Sequence, residues 1–177
     1  ITTVDLIIFA SYTPSDTVGT TGHCIQREFS IENAKVFYIS SACSSGMNAI
    51  EAVSAYFAAG LASRALLICA DRNSSFSDDS DSISGHLWGD GAVAYFLSSE
   101  RYNDSETEIL DITTQGLAHI GLGPEAVKLS LPHGGIQMPF GKDVFTYACT
   151  YIAQNTQEIL QDNGYKVEDL SYFIGHQ

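Results

Sequence analysis

Short unbroken apolar runs alternate along this chain with longer stretches in which apolar positions recur every three or four residues. Leu6-Ile7-Ile8-Phe9-Ala10 is such a run and predicts a strand covered on both faces. The Ser/Thr/Gly/Pro-rich stretch from Ser11 to Gly22 predicts a loop, and His23 to Phe29 a short helix. Val36-Phe37-Tyr38-Ile39 is β-branched and aromatic, which suits a second strand. From Ser44 to Gly60 the chain is rich in alanine, with Met47, Ile50, Val53 and Phe57 at helical spacing and Gly60 as the stop. Ala65 to Ala70 predicts a third strand, followed by a polar loop from Asp71 to Ser84. Trp88-Gly89-Asp90-Gly91-Ala92 predicts a tight turn in which the glycines supply positive φ, leading into a strand from Val93 to Leu97. The segment Ser99 to Pro139 is less regular, with a strand expected near Ile109 to Thr114. Asp143 to Asn163 predicts a long amphipathic helix with Val144, Tyr147, Ala148, Tyr151, Ile152 and Ile159 on one face, closed by Gly164. Tyr172-Phe173-Ile174-Gly175 is the last expected strand and runs directly into His176. Strands alternating with helices, with no short-period repeat and no linker-like composition, predict an α/β layered fold.

Composition narrows the class. At 177 residues, with 45% hydrophobic and 16% charged positions, the chain can bury a sizeable core and is not a disordered segment. No apolar run approaches membrane-spanning length, and no basic stretch precedes an apolar one as in a signal peptide. The expectation is a cytoplasmic protein without a membrane partner. The net charge of −13, from 21 acidic and 8 basic residues, argues against nucleic acid as a partner. Part of it is local, since Asp78, Asp79 and Asp81 fall in a serine-rich stretch that reads as a solvated loop. Cys24, Cys43, Cys69 and Cys149 show no C-x-x-C spacing, and the histidines no i, i+4 pairing, so neither a disulfide framework nor a metal site is expected. The chain opens on Ile1, closes on His176-Gln177, and both ends abut strand-like patterns, which leads us to expect a fragment.

The candidate chemistry begins at Ser40-Ser41-Ala42-Cys43-Ser44-Ser45-Gly46, between a strand pattern and a helix pattern. A cysteine there meets the unpaired N–H groups and partial positive charge of a helix N-terminus. Both favour the thiolate and offer a place for a developing oxyanion. Core packing is the competing reading, because isolated cysteines are commonly small buried hydrophobes. A cysteine nucleophile needs a base or an orienting group, and His23, His86, His119, His133 and His176 are available. Spacing does not choose among them. His176 stands out only because it would project from a strand end, where α/β sites gather. The Gly89-Asp90-Gly91 turn is no phosphate loop: it lacks G-x-x-x-x-G-K-[ST] and opens no helix. Nor does Ala42-Cys43-Ser44 match the C-G-[SA]-C-[WY] of papain-like peptidases.

Three segments together, Ala42-Cys43-Ser44-Ser45-Gly46, Trp88-Gly89-Asp90-Gly91-Ala92 and Gly175-His176-Gln177, resemble in order and rough spacing the β-ketoacyl-ACP synthase III enzymes of the thiolase superfamily. Gly141-Lys142-Asp143-Val144-Phe145 resembles the segment before that family's long helix. The resemblance covers essentially the whole chain. It implies a thiolase-like αβαβα layered fold, with residues 1–98 as most of the N-terminal half and residues 99–177 as a connecting segment and the beginning of the C-terminal half. Cys43 then corresponds to the acyl-accepting nucleophile and His176 to the catalytic histidine of the family's His-Gln-Ala-Asn segment, of which His-Gln is present. The Gly-Asp-Gly-Ala turn shapes the wall near the cysteine. Trp88 stands where the family usually has Phe beside the acyl pocket, and Phe145 lies near the pantetheine entrance. Val18 falls in the loop that often places a Phe in the partner's acyl tunnel. For Trp88 and Phe145, core packing is the alternative.

The implied reaction is a decarboxylating Claisen condensation of an acyl thioester with malonyl-ACP, in fatty acid or polyketide type biosynthesis. It needs no cofactor beyond its acyl-CoA and malonyl-ACP substrates. The implied partners are acyl carrier protein, acyl-CoA and a second copy in a homodimer. The family's later Asn, its Gly-rich oxyanion loop and its first strand and helix have no counterpart in the sequence, so the chain alone is expected to be nearly inactive. Alternatives are a type III polyketide synthase, in which His-Pro tends to follow the final strand, a hydroxymethylglutaryl-CoA synthase-like enzyme, or a non-catalytic ketosynthase-like partner. Such partners often lose the nucleophile, which is retained here.

Overall fold

The computed structural model describes residues 3–129 and 135–176; His133 and Gln177 lie outside the described residues. The chain divides into two compact units. The first comprises Ile1–Phe76 and Trp88–Glu108, the second Ser77–Leu87 and Ile109–Gln177.

The first unit is built on a four-stranded sheet of order β2-β1-β3-β4. Its strands are β1 (Leu6–Ala10), β2 (Lys35–Ile39), β3 (Arg64–Asp71) and β4 (Gly91–Ser98). β1 pairs in parallel with β2, Ile8 opposite Phe37, and with β3, Ile8 opposite Leu67. β4 closes the order antiparallel to β3. The unbroken apolar run of β1 follows from its position: with a strand on each side and helices over both faces, each of its five residues is buried. Leu6, Ile8 and Ala10 pack with Leu67 against Ala49 and Val53 of α2 (Ser45–Ala58). Ile7 and Leu66 point to the other face, where Ile25 of α1 (Thr21–Glu28) and Val36 cover them. The unit is therefore a three-layer αβα sandwich around β1. Gly60 ends α2 with φ of +67° and Gly164 ends the long helix of the second unit with φ of +76°, as expected of helix stops.

β4 differs from the other three strands. Seven of its eight residues are exposed, including Val93, Tyr95 and Phe96, and its only partner among the described residues is β3.

In the second unit α3 (Gly141–Asp162) is the main element, accompanied by the two-residue ladder of β5 (Lys128–Leu129) and β6 (Ile136–Gln137). Ile136 is buried, and Ser84 beside it accepts from the Met138 N–H at 3.3 Å while donating to Asp81 Oδ2 at 2.5 Å. The expected apolar face of α3 forms: Val144, Tyr147, Ala148, Tyr151 and Ile152 line an open recess of about 390 Å³ with Leu117 and Ile120.

Two expected strands are corrected. Neither Ile109 to Thr114 nor Tyr172 to Gly175 forms a ladder. Apolar, β-prone sequence becomes a strand only where a neighbour accepts its backbone hydrogen bonds, and no described strand lies beside either segment. The first short helix starts at Thr21, two residues before the expected His23. Among the described residues no helix is long and apolar enough to cross a membrane.

Candidate functional site

Between the end of β2 and the start of α2 the backbone turns sharply. Ala42 takes φ of +52°, a left-handed conformation uncommon for a residue with a Cβ. Hydroxyls hold it there. Ser45 Oγ donates to the Ala42 carbonyl at 2.6 Å and accepts from the Ser41 N–H at 2.9 Å; Ser44 Oγ donates to the Ser41 carbonyl at 2.9 Å. The Ser-Ser pair after the cysteine thus builds the turn. With both hydroxyls occupied, Ser44 makes no side-chain cap on the first turn of α2, and no acidic residue sits in that turn. The amide ends of the helix face the Cys43 turn, as an oxyanion site requires.

The thiol itself departs from expectation. A helix N-terminus was expected to favour the thiolate, yet the Cys43 thiol is pushed up from the ordinary value. Cys43 is exposed as a residue, yet partial desolvation of its sulfur is the larger cause and the negative charge of Asp71 the second; the cysteine's own N–H works the other way. Cys69, on β3, is pushed up by the same two causes, burial first. Tyr12 is raised chiefly by burial, with Cys43 and Asp71 adding to it and the Asn73 side chain opposing. Cys43, Tyr12, Cys69 and Asp71 are therefore brought together at the carboxyl ends of β1, β2 and β3, where α/β sheets form their sites.

Of these, sequence reasoning found only Cys43. Asp71 closes the apolar run of β3, and a lone carboxylate at a strand's carboxyl end was the available signal. The Ser11–Gly22 loop carries Val18, which is 83% exposed. Asp16 organises the loop by accepting from the N–H groups of Val18 and Gly19, both at 2.7 Å, and from the Thr20 hydroxyl at 2.6 Å. These bonds, the Thr20 hydroxyl foremost, hold the Asp16 carboxyl below its ordinary value.

Trp88 is half-buried, and its indole Nε1 is buried without a partner among the described residues. The turn after it is corrected in one respect: neither Gly89 nor Gly91 has positive φ, and Gly91 already belongs to β4. Side chains shape it instead. Asn73 Nδ2 donates to the Gly89 carbonyl at 2.7 Å, and Asp90 accepts from the Ser74 N–H at 2.8 Å and its hydroxyl at 2.6 Å. Phe145 and His176 belong to the second unit. Phe145 lies at the start of the second turn of α3, 70% exposed and outside the recess on that helix. His176 is exposed and follows the unpaired Tyr172–Gly175 segment.

Residues 37–116, which include the Cys43 turn and the Trp88–Ala92 turn, match the family described as 3-oxoacyl-[acyl-carrier-protein (ACP)] synthase III. The chain is 30% identical over 173 residues to β-ketoacyl-[acyl-carrier-protein] synthase III 2 of Streptomyces coelicolor, across 98% of the chain and 51% of that protein. It is 33% identical over 185 residues to the synthase III of Prochlorococcus marinus, across 99% of the chain and 54% of that protein. The crystal structure of 3-oxoacyl-(acyl carrier protein) synthase III from Pseudomonas aeruginosa superimposes with a TM-score of 0.81 at 26% identity, over 97% of the chain and 53% of that structure. The chain spans about half the length of these relatives. The thiolase-like α/β fold expected from the motifs is the fold observed.

Proposed function

Because the chain belongs to the 3-oxoacyl-ACP synthase III family, we propose that Cys43 is the acyl-accepting nucleophile of a decarboxylating condensing enzyme. The observation that carries this reading is the strained Ala42-Cys43 turn at the uncapped start of α2. Left-handed backbone at a non-glycine residue costs about 1–3 kcal/mol and persists at sites where the geometry is used.

In the proposed cycle the Cys43 thiolate attacks the carbonyl of an acyl thioester. The oxyanion forms against the amide ends of α2, and the thiol of the donor leaves. Malonyl-ACP then loses carbon dioxide. The resulting carbanion attacks the Cys43 thioester carbonyl, the Cys43–carbonyl bond breaks, and a β-ketoacyl-ACP departs while the thiolate is regenerated. His176 is assigned to the enolate oxygen, on the family resemblance of Gly175-His176-Gln177. Trp88 is assigned to the acyl pocket, Val18 to the tunnel of a partner subunit in a homodimer, and Phe145 to the pantetheine entrance. Each oxyanion donor in such a site is worth about 10²–10³ in rate. With a net charge of −13, docking of an acidic carrier protein requires a local basic patch.

The test is acylation. The protein is incubated with acetyl-CoA or longer acyl-CoA and its mass measured, with peptide mapping of the adduct. One acyl group on Cys43, lost in Cys43→Ala, is the expected result. Absence of an adduct with every donor, while the protein remains folded, would favour the non-catalytic partner reading instead.

A further inference from the structure

The carboxylate of Asp71 gathers four hydrogen bonds on a single oxygen. Its Oδ1 accepts from the Ser11 hydroxyl at 2.9 Å, the Tyr12 N–H at 2.9 Å, the Thr13 N–H at 3.1 Å and the Thr13 hydroxyl at 2.8 Å. The Thr13 hydroxyl in turn accepts from the Arg72 N–H at 2.8 Å. These partners lie 58–60 residues from Asp71 in sequence, so the carboxylate ties the exit of β1 to the end of β3. Ser11 and Thr13 are buried. The Ser11 N–H also donates to the Ile39 carbonyl at 3.1 Å, and the Tyr38 hydroxyl donates to the Ser11 carbonyl, so the exit of β2 is drawn into the same knot. Four residues beyond Ile39 lies Cys43.

The face on which Asp71 sits is set by strand alternation. Cys69 and Asp71, two residues apart on β3, point to the same side of the sheet. That side carries α2: Cys69 packs with the Ala49 and Val53 cluster, and a Cβ on Gly46 would lie 3.1 Å from Cys69 Sγ. The first turn of α2 therefore rests on this row of β3, one step from Asp71.

We propose that Asp71 is a positioning residue for Cys43, pinning the loop after β1 across the carboxyl edge of the sheet and facing the nucleophile turn with a negative charge. This deepens the reading of Cys43 as an acyl acceptor and rests on it. The charge has a direct consequence: it opposes the thiolate, on top of desolvation, so the thiol is held protonated. Tyr12 and Cys69 are the other titratable groups coupled to this cluster, each raised by burial and by Asp71. No acidic side chain enters from the first turn of α2, and the adjacent cation Arg72 acts on Asp90. A nucleophile kept in its thiol form gains reactivity only when an acceptor takes its proton, and it is guarded from adventitious alkylation and oxidation.

The experiment follows iodoacetamide alkylation of Cys43 against pH, resolved from the other three cysteines by peptide mass, in the wild-type chain, Asp71→Asn, Asp71→Glu and Thr13→Val. Asp71→Asn removes the charge and keeps an acceptor oxygen; its inflection is expected at lower pH, with Cys43 alkylation at pH 7.5 about twofold faster or more. Asp71→Glu restores the wild-type profile. Thr13→Val leaves the profile in place but speeds hydrogen exchange at the Tyr12 and Thr13 amides, which reads the pinning role alone. Coincident profiles for wild type and Asp71→Asn, or an equal shift in Thr13→Val, would overturn the proposal. Circular dichroism confirms folding of each variant. No acyl donor enters this assay, so its failure is separate from failure of Cys43 to accept an acyl group.

Discussion

Leu6–Ala10 and Tyr172–Ile174 are both unbroken apolar runs, and both read as strands in the sequence. Their outcomes are opposite. Each residue of β1 is at most 7% exposed, whereas Tyr172 is 86% and Ile174 93% exposed and no ladder forms there. The difference lies in what surrounds each run. β1 has β2 on one side, β3 on the other, and a helix over each face. The later segment has no described neighbour to take its N–H and C=O groups. β4 falls between these cases: one edge is paired along all eight residues, and most of its side chains stay exposed.

The sharpest way to break this comparison is hydrogen exchange. The Ile8 amide, in the doubly paired centre of the sheet, is expected to exchange at least about 10³-fold more slowly than that of Phe173, relative to their intrinsic rates. Comparable protection at the two would show that the later segment is paired in solution. Truncation in the same places comes next. Ile8→Ala removes a fully buried side chain and is expected to destabilise by about 2–5 kcal/mol in urea unfolding. Ile174→Ala is expected to change stability by no more than about 0.5 kcal/mol.

A smaller effect is the response to acid, which weighs the polar anchoring of the two units. In the first unit Asp16 and Asp90 are held below the ordinary value of 3.8 by hydroxyl and N–H donors, first by Thr20 and Ser74 respectively. Asp5 is pushed up by burial but pulled further down by the Arg64 and Ser63 N–H groups, for a net lowering. In the second unit Asp78 and Asp81 are lowered, first by the Ser80 and Ser84 hydroxyls. A carboxylate with a depressed folded value contributes stability that is present above 3.8 and lost as the pH falls through the depressed value. The urea midpoint is therefore expected to be flat above pH 5 with respect to these groups and to fall below pH 4. Asp5→Asn should flatten part of that fall. An unchanged acid limb in Asp5→Asn would remove Asp5 from the account.

Much of the fold was legible because it is local. The cores of β1, β2, β3, β4, α2 and α3 stand within a residue or two of their expected limits, since periodicity and terminal glycines are read within one element. The Cys43 turn was legible for the same reason: a strand pattern, a small-residue turn and a helix pattern are contiguous. Its environment was not. Asp71 meets Ser11, Tyr12 and Thr13 across 58–60 residues, and no local pattern encodes such a pairing. The direction of the Cys43 thiol also reversed, because desolvation and a neighbouring charge outweigh what the turn's own amides offer.

The turns make the same point. Positive φ was expected where glycines flank Asp90 and is absent there, whereas Ala42, which has a Cβ, adopts it where the hydroxyls of Ser44 and Ser45 occupy the turn's backbone groups. By itself the sequence determined which segments can be helix or strand, and it placed one cysteine between them, because those choices depend on residues within a few positions of each other. Only the tertiary structure decided which apolar runs acquire partners, which face of β3 meets α2, and what charge stands beside the thiol. Burial, pairing and electrostatic neighbourhood are properties of groups brought together in space, and in this chain they join residues that the sequence keeps far apart.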